Sequence, residues 1–100
     1  MERKFAGGGV KYLIAFDISN NRRRRNVEKS CLSVGFRVQR SVFEAFLESC
    51  ELDEFESSIK GKIDVAKDSV RIYPLDKKSD SAIRIVGVGK RIENVGYKIL

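Results

Sequence analysis

Histidine and tryptophan are absent from this chain of 100 residues, which has one proline, one methionine and two cysteines. Without histidine, Ser-His-Asp catalytic triads and the common histidine-containing zinc sites are excluded. Cys31 and Cys50 have no CxxC spacing, and we expect no disulfide between them in a reducing compartment. Any metal site is therefore expected to use oxygen ligands, which suit magnesium, manganese or calcium.

Long hydrophobic runs are also missing. No segment approaches the about 20 apolar residues of a membrane-spanning helix, and the first residues, MERKFAGGG, contain no apolar stretch of signal-peptide length. We expect no membrane partner and a cytoplasmic location. Hydrophobic residues at 42% and charged residues at 34% predict a single globular domain over residues 11–100, with residues 1–10 as a flexible leader.

Positive charge is concentrated at both ends of the sequence. Residues 1–40 carry a net charge of +7, residues 41–68 carry −5, and residues 69–100 carry +4. The basic ends favour a polyanionic partner such as nucleic acid. The acidic middle is either a solvated helix face or a protein-binding surface.

Two helices are predicted from apolar residues at helical spacing. In the first, from Asn21 to Val34, we expect a polar N-cap among residues 19–21 and Gly35 in the left-handed conformation after the last turn. In the second, from Ser49 to Lys60, we expect Ser49 as N-cap and Gly61 as the stop.

Several short strands are predicted between and around these helices. Tyr12–Phe16 is apolar on both alternating sets, which is typical of a strand covered on both faces. Two helices cover only one face of a sheet, so we expect a second copy of the chain to cover the other. A further strand is predicted over Ser69–Leu75, with Pro74 marking an edge or an exit from the sheet. A charged turn at Lys77–Ser81 follows it, and then two more strands are predicted, Ala82–Val86 and Val95–Ile99.

The segment Phe36–Leu47 is strand-like, but its apolar residues change phase around Arg40–Phe43. A bulge or a tight corner explains the change, and the segment is either one bent strand or two short ones. Glu44, beside the phase change, either joins a buried polar network or contacts a partner. This order of elements predicts a two-layer α+β sandwich, most simply a ferredoxin-like βαββαβ fold with an extra C-terminal strand, as a homodimer.

Candidate site residues follow the first strand, in KYLIAFDISNNRRRR from Lys11 to Arg25. Asp17 ends the strand, where open sheets often bind ligands; it is either a metal ligand or a turn residue that caps the next helix. One carboxylate is a poor magnesium site, and a second Asp17 from a two-fold partner would improve it. The arginines Arg22, Arg23, Arg24, Arg25, Arg37 and Arg40 are candidates for phosphate contacts, or alternatively a solvated basic surface.

Four segments together resemble the small CRISPR-associated Cas-two family. They are YLIAFDIS, the arginine-rich helix start, RVQRSVFE from Arg37 to Glu44, and DSVRIYPL from Asp68 to Leu75. The resemblance covers roughly residues 11–87. It implies a ferredoxin-like homodimer whose C-terminal strand, which contains Tyr97, tends to pair with the partner's sheet.

The resemblance also implies a divalent-metal-dependent nuclease acting on RNA or duplex DNA, with Mg²⁺ or Mn²⁺, and a role in acquiring new CRISPR spacers. Asp17 matches the proposed metal ligand, and Arg24, Arg37 and Phe43 match other positions associated with the family. Phe16 stands where the family commonly has tyrosine. Asn26 stands near a second arginine position of the family, which Arg25 can substitute.

Two functions remain open at this point. As a nuclease, the protein uses Asp17 to hold the metal and Arg24, Arg25 and Arg37 to offset charge on the phosphate. As a non-catalytic adaptor, the same arginines follow a duplex backbone while the dimer bridges Cas-one integrase dimers. A more distant alternative is a toxin-type ribonuclease of the virulence-associated class.

Overall fold

The computed structural model describes residues 9–87, which form one mixed α+β unit. Four strands and three helices follow one another along the chain: β1 (Val10–Asp17), α1 (Asn21–Val34), β2 (Gly35–Gln39), β3 (Val42–Leu47), α2 (Ser49–Lys60), β4 (Ser69–Leu75) and α3 (Lys77–Ser81). The predicted bounds of both long helices are confirmed.

The four strands form one sheet in the order β2-β3-β1-β4, with every neighbouring pair antiparallel. With the two long helices on one side, this is the predicted ferredoxin-like arrangement. Strand β1 is central, as its apolar sequence predicted, and pairs Ile14 with Phe43 of β3 and with Ile72 of β4. Its last residue, Asp17, pairs with Ser69.

The hydrophobic core lies between the sheet and the two long helices. It is centred on Ile14, Val27, Cys31 and Phe43, which are fully buried. The opposite face of the sheet is less covered: Leu13 and Ala15 of β1 are half-buried. The strand is thus apolar on both faces, but only the helix side is a packed core within the described chain.

Helix α1 begins and ends where predicted, although the reason for Gly35 differs from the prediction. The Asn20 side chain accepts a hydrogen bond of 2.9 Å from the amide of Arg23 and caps the helix. Gly35 has φ −163°, which is extended backbone, so the expected left-handed conformation was wrong. A Cβ atom at this position would collide with the carbonyl oxygen of Glu44, so glycine permits the close approach of two strands.

The segment Phe36–Leu47 is two strands, which resolves the open alternative. The β2–β3 pairing shifts register between Arg37 and Gln39, and the chain turns at Arg40 and Ser41. The change of phase therefore comes from a register shift in the strand pairing and a tight corner after it.

Helix α2 takes Glu48 as its N-cap rather than the predicted Ser49. The Glu51 carboxylate accepts a bond of 2.8 Å from the Glu48 amide. The Glu48 side chain in turn accepts from the backbone amide of Glu51. This capping box uses a longer side chain than the usual serine or threonine caps, so the nearby serine was a misleading signal.

Beyond β4 the structure differs from the prediction. Pro74 does lie in an edge strand, but residues 77–81 form the short helix α3 instead of a turn, because Asp76 caps it by accepting from the Ser79 amide at 2.7 Å. Residues 82–86 form no strand, because they pair with no strand within the described chain. The predicted strand at Val95–Ile99, including Tyr97, lies outside the described residues.

Candidate nucleic-acid and metal site

Asp17 lies exposed at the end of the central strand. Only three residues separate it from the first residue of α1. Its carboxylate and the first turn of that helix are therefore close in the chain and lie at the same end of the sheet. The helix is capped by Asn20. The alternative role of Asp17 as the helix cap is therefore wrong.

The four consecutive arginines of α1 are not equivalent. Arg23 is held by Asp68: its Nε lies 2.7 Å from Oδ2, and its Nη2 lies 3.2 Å from Oδ1. The Asp68 side chain is 1% exposed and also accepts a bond of 2.9 Å from the Asp64 amide. The Arg23 guanidinium, followed by that amide, holds the pKa of Asp68 below its ordinary value.

This ion pair gives Arg23 a structural task, because it joins the first turn of α1 to the residue before β4. Sequence reasoning did not find Asp68 as the partner. The only available signal was its position directly before a strand in the DSVRIYPL segment.

Arg24 and Arg37 meet at Glu28. The Glu28 carboxylate lies 3.9 Å from Arg24 Nε and 3.7 Å from Arg37 Nη2. Both separations are longer than a hydrogen bond, so each guanidinium keeps donors for another anion. Glu28 was not identified from the sequence, although its spacing of four residues from Arg24 is a known helix pairing.

Arg37 is oriented by two further contacts. Its Nη1 donates to the carbonyl of Arg40 at 2.6 Å, and its guanidinium carbon lies 4.8 Å from the centre of the Phe43 ring. Phe43 is fully buried and stacks on Phe16, with ring centres 6.0 Å apart. The two phenylalanines therefore form a rigid apolar base under Arg37.

Arg22, Arg25 and Arg40 have exposed side chains. Within residues 9–87 none of the three is in an ion pair. Together with Arg24 and Arg37 they make this end of the domain basic, which suits contacts to phosphate groups.

A metal ion would find few protein ligands on one chain. Residues 9–87 contain no group of three or more Asp, Glu or Cys side chains that could hold one. Asp68 is committed to Arg23. Asp17 therefore fits a divalent cation only as a single oxygen ligand, with the remaining positions filled by water, substrate or a second chain.

Two other predictions are tested by the described residues. Cys31 and Cys50 are free thiols, and burial raises the pKa of Cys31 to about 12. No helix among residues 9–87 has the length and apolarity to cross a membrane.

A polar cluster lies on the sheet face opposite the long helices. Lys11 Nζ is 2.8 Å from Glu44 Oε1 and 2.7 Å from Asp80 Oδ1. The side chains of Lys11 and Glu44 are 5% and 9% exposed. Glu44 is thus in a buried network, which was one of the two alternatives for it, and α3 contributes the third member.

Comparison with known proteins gives a consistent result. Residues 10–83 match the family described as CRISPR associated protein Cas2. A "CRISPR-associated endoribonuclease Cas2 2" of Thermodesulfovibrio yellowstonii is 40% identical over 83 residues, which are 83% of this chain and 89% of the relative.

Two solved structures are similar in fold and sequence. Cas2 of Streptococcus pyogenes superimposes with a TM-score of 0.71 and 30% identity, covering 77% of this chain and 99% of that one. A chain of a structure described as "Partial Cas6-RT-Cas1--Cas2 complex" gives a TM-score of 0.72 and 26% identity, covering 85% and 92%.

Proposed function

This chain belongs to the CRISPR-associated Cas2 family, and we propose that it is a metal-dependent endonuclease of the spacer-acquisition stage of prokaryotic antiviral defence. The observation that carries the proposal is the exposed Asp17 carboxylate beside a basic helix start. A carboxylate for a cation and guanidinium groups for a phosphate are the two requirements of metal-assisted phosphodiester cleavage.

Asp17 is proposed to hold Mg²⁺, with Mn²⁺ as the alternative cation. When bound, the cation polarises a non-bridging oxygen of the scissile phosphate. Two copies of the chain, related by a two-fold axis, would bring two Asp17 carboxylates to one ion. The half-buried Leu13 and Ala15 on the face opposite the helices support this dimer, because burying them stabilises the association.

Arg24, Arg25 and Arg37 are proposed to bind the phosphate and offset its charge, and Arg22 and Arg40 to contact the flanking backbone. Arg37 is best prepared for this role, because Phe43 and the Arg40 carbonyl fix its guanidinium plane. Arg23 contributes by holding the start of α1 rather than by touching the nucleic acid. Contacts of this kind position a nucleic acid without reading its sequence.

A second candidate function is a non-catalytic adaptor that binds duplex DNA and bridges Cas1 integrase dimers. The likeness to a chain of the Cas1–Cas2 complex favours it. The exposed arginines serve both functions equally well. Only the role of Asp17 separates the two, because an adaptor does not need its carboxylate.

The test is cleavage of labelled RNA and duplex DNA with Mg²⁺, with Mn²⁺ or with a chelator, by the wild type and Asp17→Asn. Asp53→Asn is the matched control, since Asp53 is an exposed carboxylate on α2. We expect cleavage that needs the cation, is lost in Asp17→Asn and is retained in Asp53→Asn.

Cleavage by folded Asp17→Asn at the wild-type rate would refute the nuclease proposal. A wild type that binds duplex DNA and supports spacer integration with its Cas1, but cleaves neither substrate, would favour the adaptor. Light scattering of the same samples tests the proposed dimer.

A further inference from the structure

A groove lies between α1 and α2, on the helix side of the sheet. Its volume is about 290 Å³, and its apolar lining consists of Val34, Leu47 and Phe55. Leu47 and Phe55 are buried members of the core, and Val34 is half-buried. The proposed dimer buries the opposite face of the sheet, so this groove stays on the outer surface of the dimer.

Carboxylates dominate the charged groups of this groove. Glu51 and Glu54 of α2 line it, and Glu48 lies one turn before them at the start of the helix. Lys62 is the single cation among the described lining residues, and its Nζ donates to the Ser58 hydroxyl at 2.7 Å. Three carboxylates against one lysine leave the groove and its entrance with a net charge of −2, which favours a cationic occupant.

The start of β1 lies beside the entrance to the groove. Val10, the first residue of β1, pairs with Leu47. Leu47 lines the groove and directly precedes Glu48. The part of the chain that leads into β1 is therefore attached next to the acidic end of the groove.

The leader contains the three consecutive residues Arg3, Lys4 and Phe5, two of them basic and one aromatic. Five residues lead from Gly9 back to Lys4 and span up to about 16 Å when extended. Glu48 and Glu54 are six residues apart in α2, which is about 9 Å along the helix axis. The leader is thus long enough to bring its basic residues to these carboxylates.

We infer that residues 3–5 of the leader dock in the α1–α2 groove of their own chain. The Arg3 and Lys4 side chains pair with carboxylates of α2, and the Phe5 ring packs on the apolar lining. This inference makes the acidic face of α2 a protein-binding surface instead of a solvated helix face. It goes beyond the proposed function and does not depend on it, because no residue of the groove is proposed to contact nucleic acid.

The groove is distant from the arginines at the start of α1. Ser33 lines the groove in the last turn of α1, ten residues after Arg23, which is about 15 Å along the helix axis. A leader docked in the groove therefore adds no cations to the arginine surface. A leader that remained undocked would instead be attracted to the phosphates of a bound duplex.

The experiment uses the full chain and two double variants of α2 that remove the same charge. Glu51→Gln/Glu54→Gln changes the groove, and glutamine at position 51 can still serve the helix cap. Asp53→Asn/Glu56→Gln is the matched control, because neither residue lines this groove. The readout is the rate of trypsin cleavage after Lys4, followed by mass spectrometry. Circular dichroism verifies the fold, and Glu54→Gln alone is the second variant if the double variant does not fold.

A second arm changes the leader and observes the groove. Arg3→Gln/Lys4→Gln is compared with the wild type through the backbone amide chemical shifts of Ser30, Ser33 and Ser58, which line the groove. The same two proteins are compared in their salt slope, which is the slope of log K against log salt for binding to a duplex.

We expect trypsin to cleave after Lys4 about threefold to tenfold faster in Glu51→Gln/Glu54→Gln than in the wild type, because two exposed ion pairs are lost. Asp53→Asn/Glu56→Gln should be cleaved at the wild-type rate. Arg3→Gln/Lys4→Gln should shift the amide resonances of the groove serines and leave the salt slope unchanged.

Equal cleavage rates in the wild type and both α2 variants, or groove resonances that do not respond to Arg3→Gln/Lys4→Gln, would overturn the inference. So would a salt slope lower by about 0.9 per phosphate in the leader variant, because the leader would then bind nucleic acid. Groove resonances that shift only on addition of an arginine-rich peptide would assign the groove to another protein. The cleavage and resonance measurements need no nucleic acid, so they decide on the leader even if the proposed nuclease fails.

Discussion

Arg23 and Asp68 form a two-point ion pair across 45 positions of the chain, at 2.7 and 3.2 Å. The pair joins the first turn of α1 to the residue that precedes β4. Asp17 lies between these two elements, because it pairs with Ser69 of β4 and precedes α1 by three intervening residues. One ion pair thus links the two elements that flank the candidate metal ligand.

Asp68→Asn should lower the melting temperature by several degrees at pH 7, because it removes the charge that pairs with Arg23 but keeps an oxygen for the Asp64 amide. The pKa of Asp68 is lowered in the folded state. Its contribution is therefore complete above the unfolded pKa of about 3.9 and is lost as the pH falls through the lower folded pKa.

Thermal melts of wild type and Asp68→Asn from about pH 2.5 to 7 check this. The two melting temperatures should differ by a constant amount above about pH 5 and converge as the solution becomes more acidic than about pH 4. If the melting temperatures of the two proteins differed by the same amount at every pH, the effect of Asp68→Asn would come from packing and not from charge.

Arg25→Gln should weaken nucleic-acid binding without changing stability. Arg25 is exposed, with no ion pair in the described part of the chain, so its removal should reduce the salt slope by about 0.9 per duplex phosphate that it binds. Arg23→Gln is the companion variant, and it should lower the melting temperature with little change in slope. Fluorescence anisotropy at several salt concentrations measures the salt slope, and thermal melts measure the melting temperature. If the two variants changed both quantities by the same amounts, the assignment of different roles to Arg23 and Arg25 would be contradicted.

Lys11→Met should destabilise the fold by about 3–5 kcal/mol, since Glu44 would then be buried without its partner. The double variant Lys11→Met/Glu44→Leu should recover part of that loss, because it also removes the buried Glu44 carboxylate that has lost its partner. Urea unfolding measures both. If the double variant is no more stable than Lys11→Met, the ion pair is not the source of the loss.

The strands and long helices could be predicted because their signals are local. The bounds of α1 follow from an apolar stripe, an asparagine before it and a glycine after it. The explanation for Gly35 was nevertheless wrong, since it depends on the backbone of Glu44, which only the folded sheet brings near. The same reason made residues 82–86 unpredictable: alternation suggests a strand, but pairing decides it.

The candidate site shows a similar division. The sequence places Asp17 and the arginines together, yet four adjacent arginines look alike until their partners are known. Asp68 pairs with Arg23, which is 45 residues away in the chain. Arg37 of β2 pairs with Glu28 of α1.

Pro74 limits how the outer edge of β4, which pairs with no strand among residues 9–87, can be extended. Proline has no amide hydrogen, so a strand aligned along that edge receives no bond from this position. The carbonyl of an added strand that faces Pro74 must bond to water or bend away. A long, uninterrupted ladder of hydrogen bonds is therefore unfavourable there. The proline thus protects the edge from indiscriminate strand addition while leaving the half of β4 nearer Asp17, from Ser69 to Tyr73, able to pair.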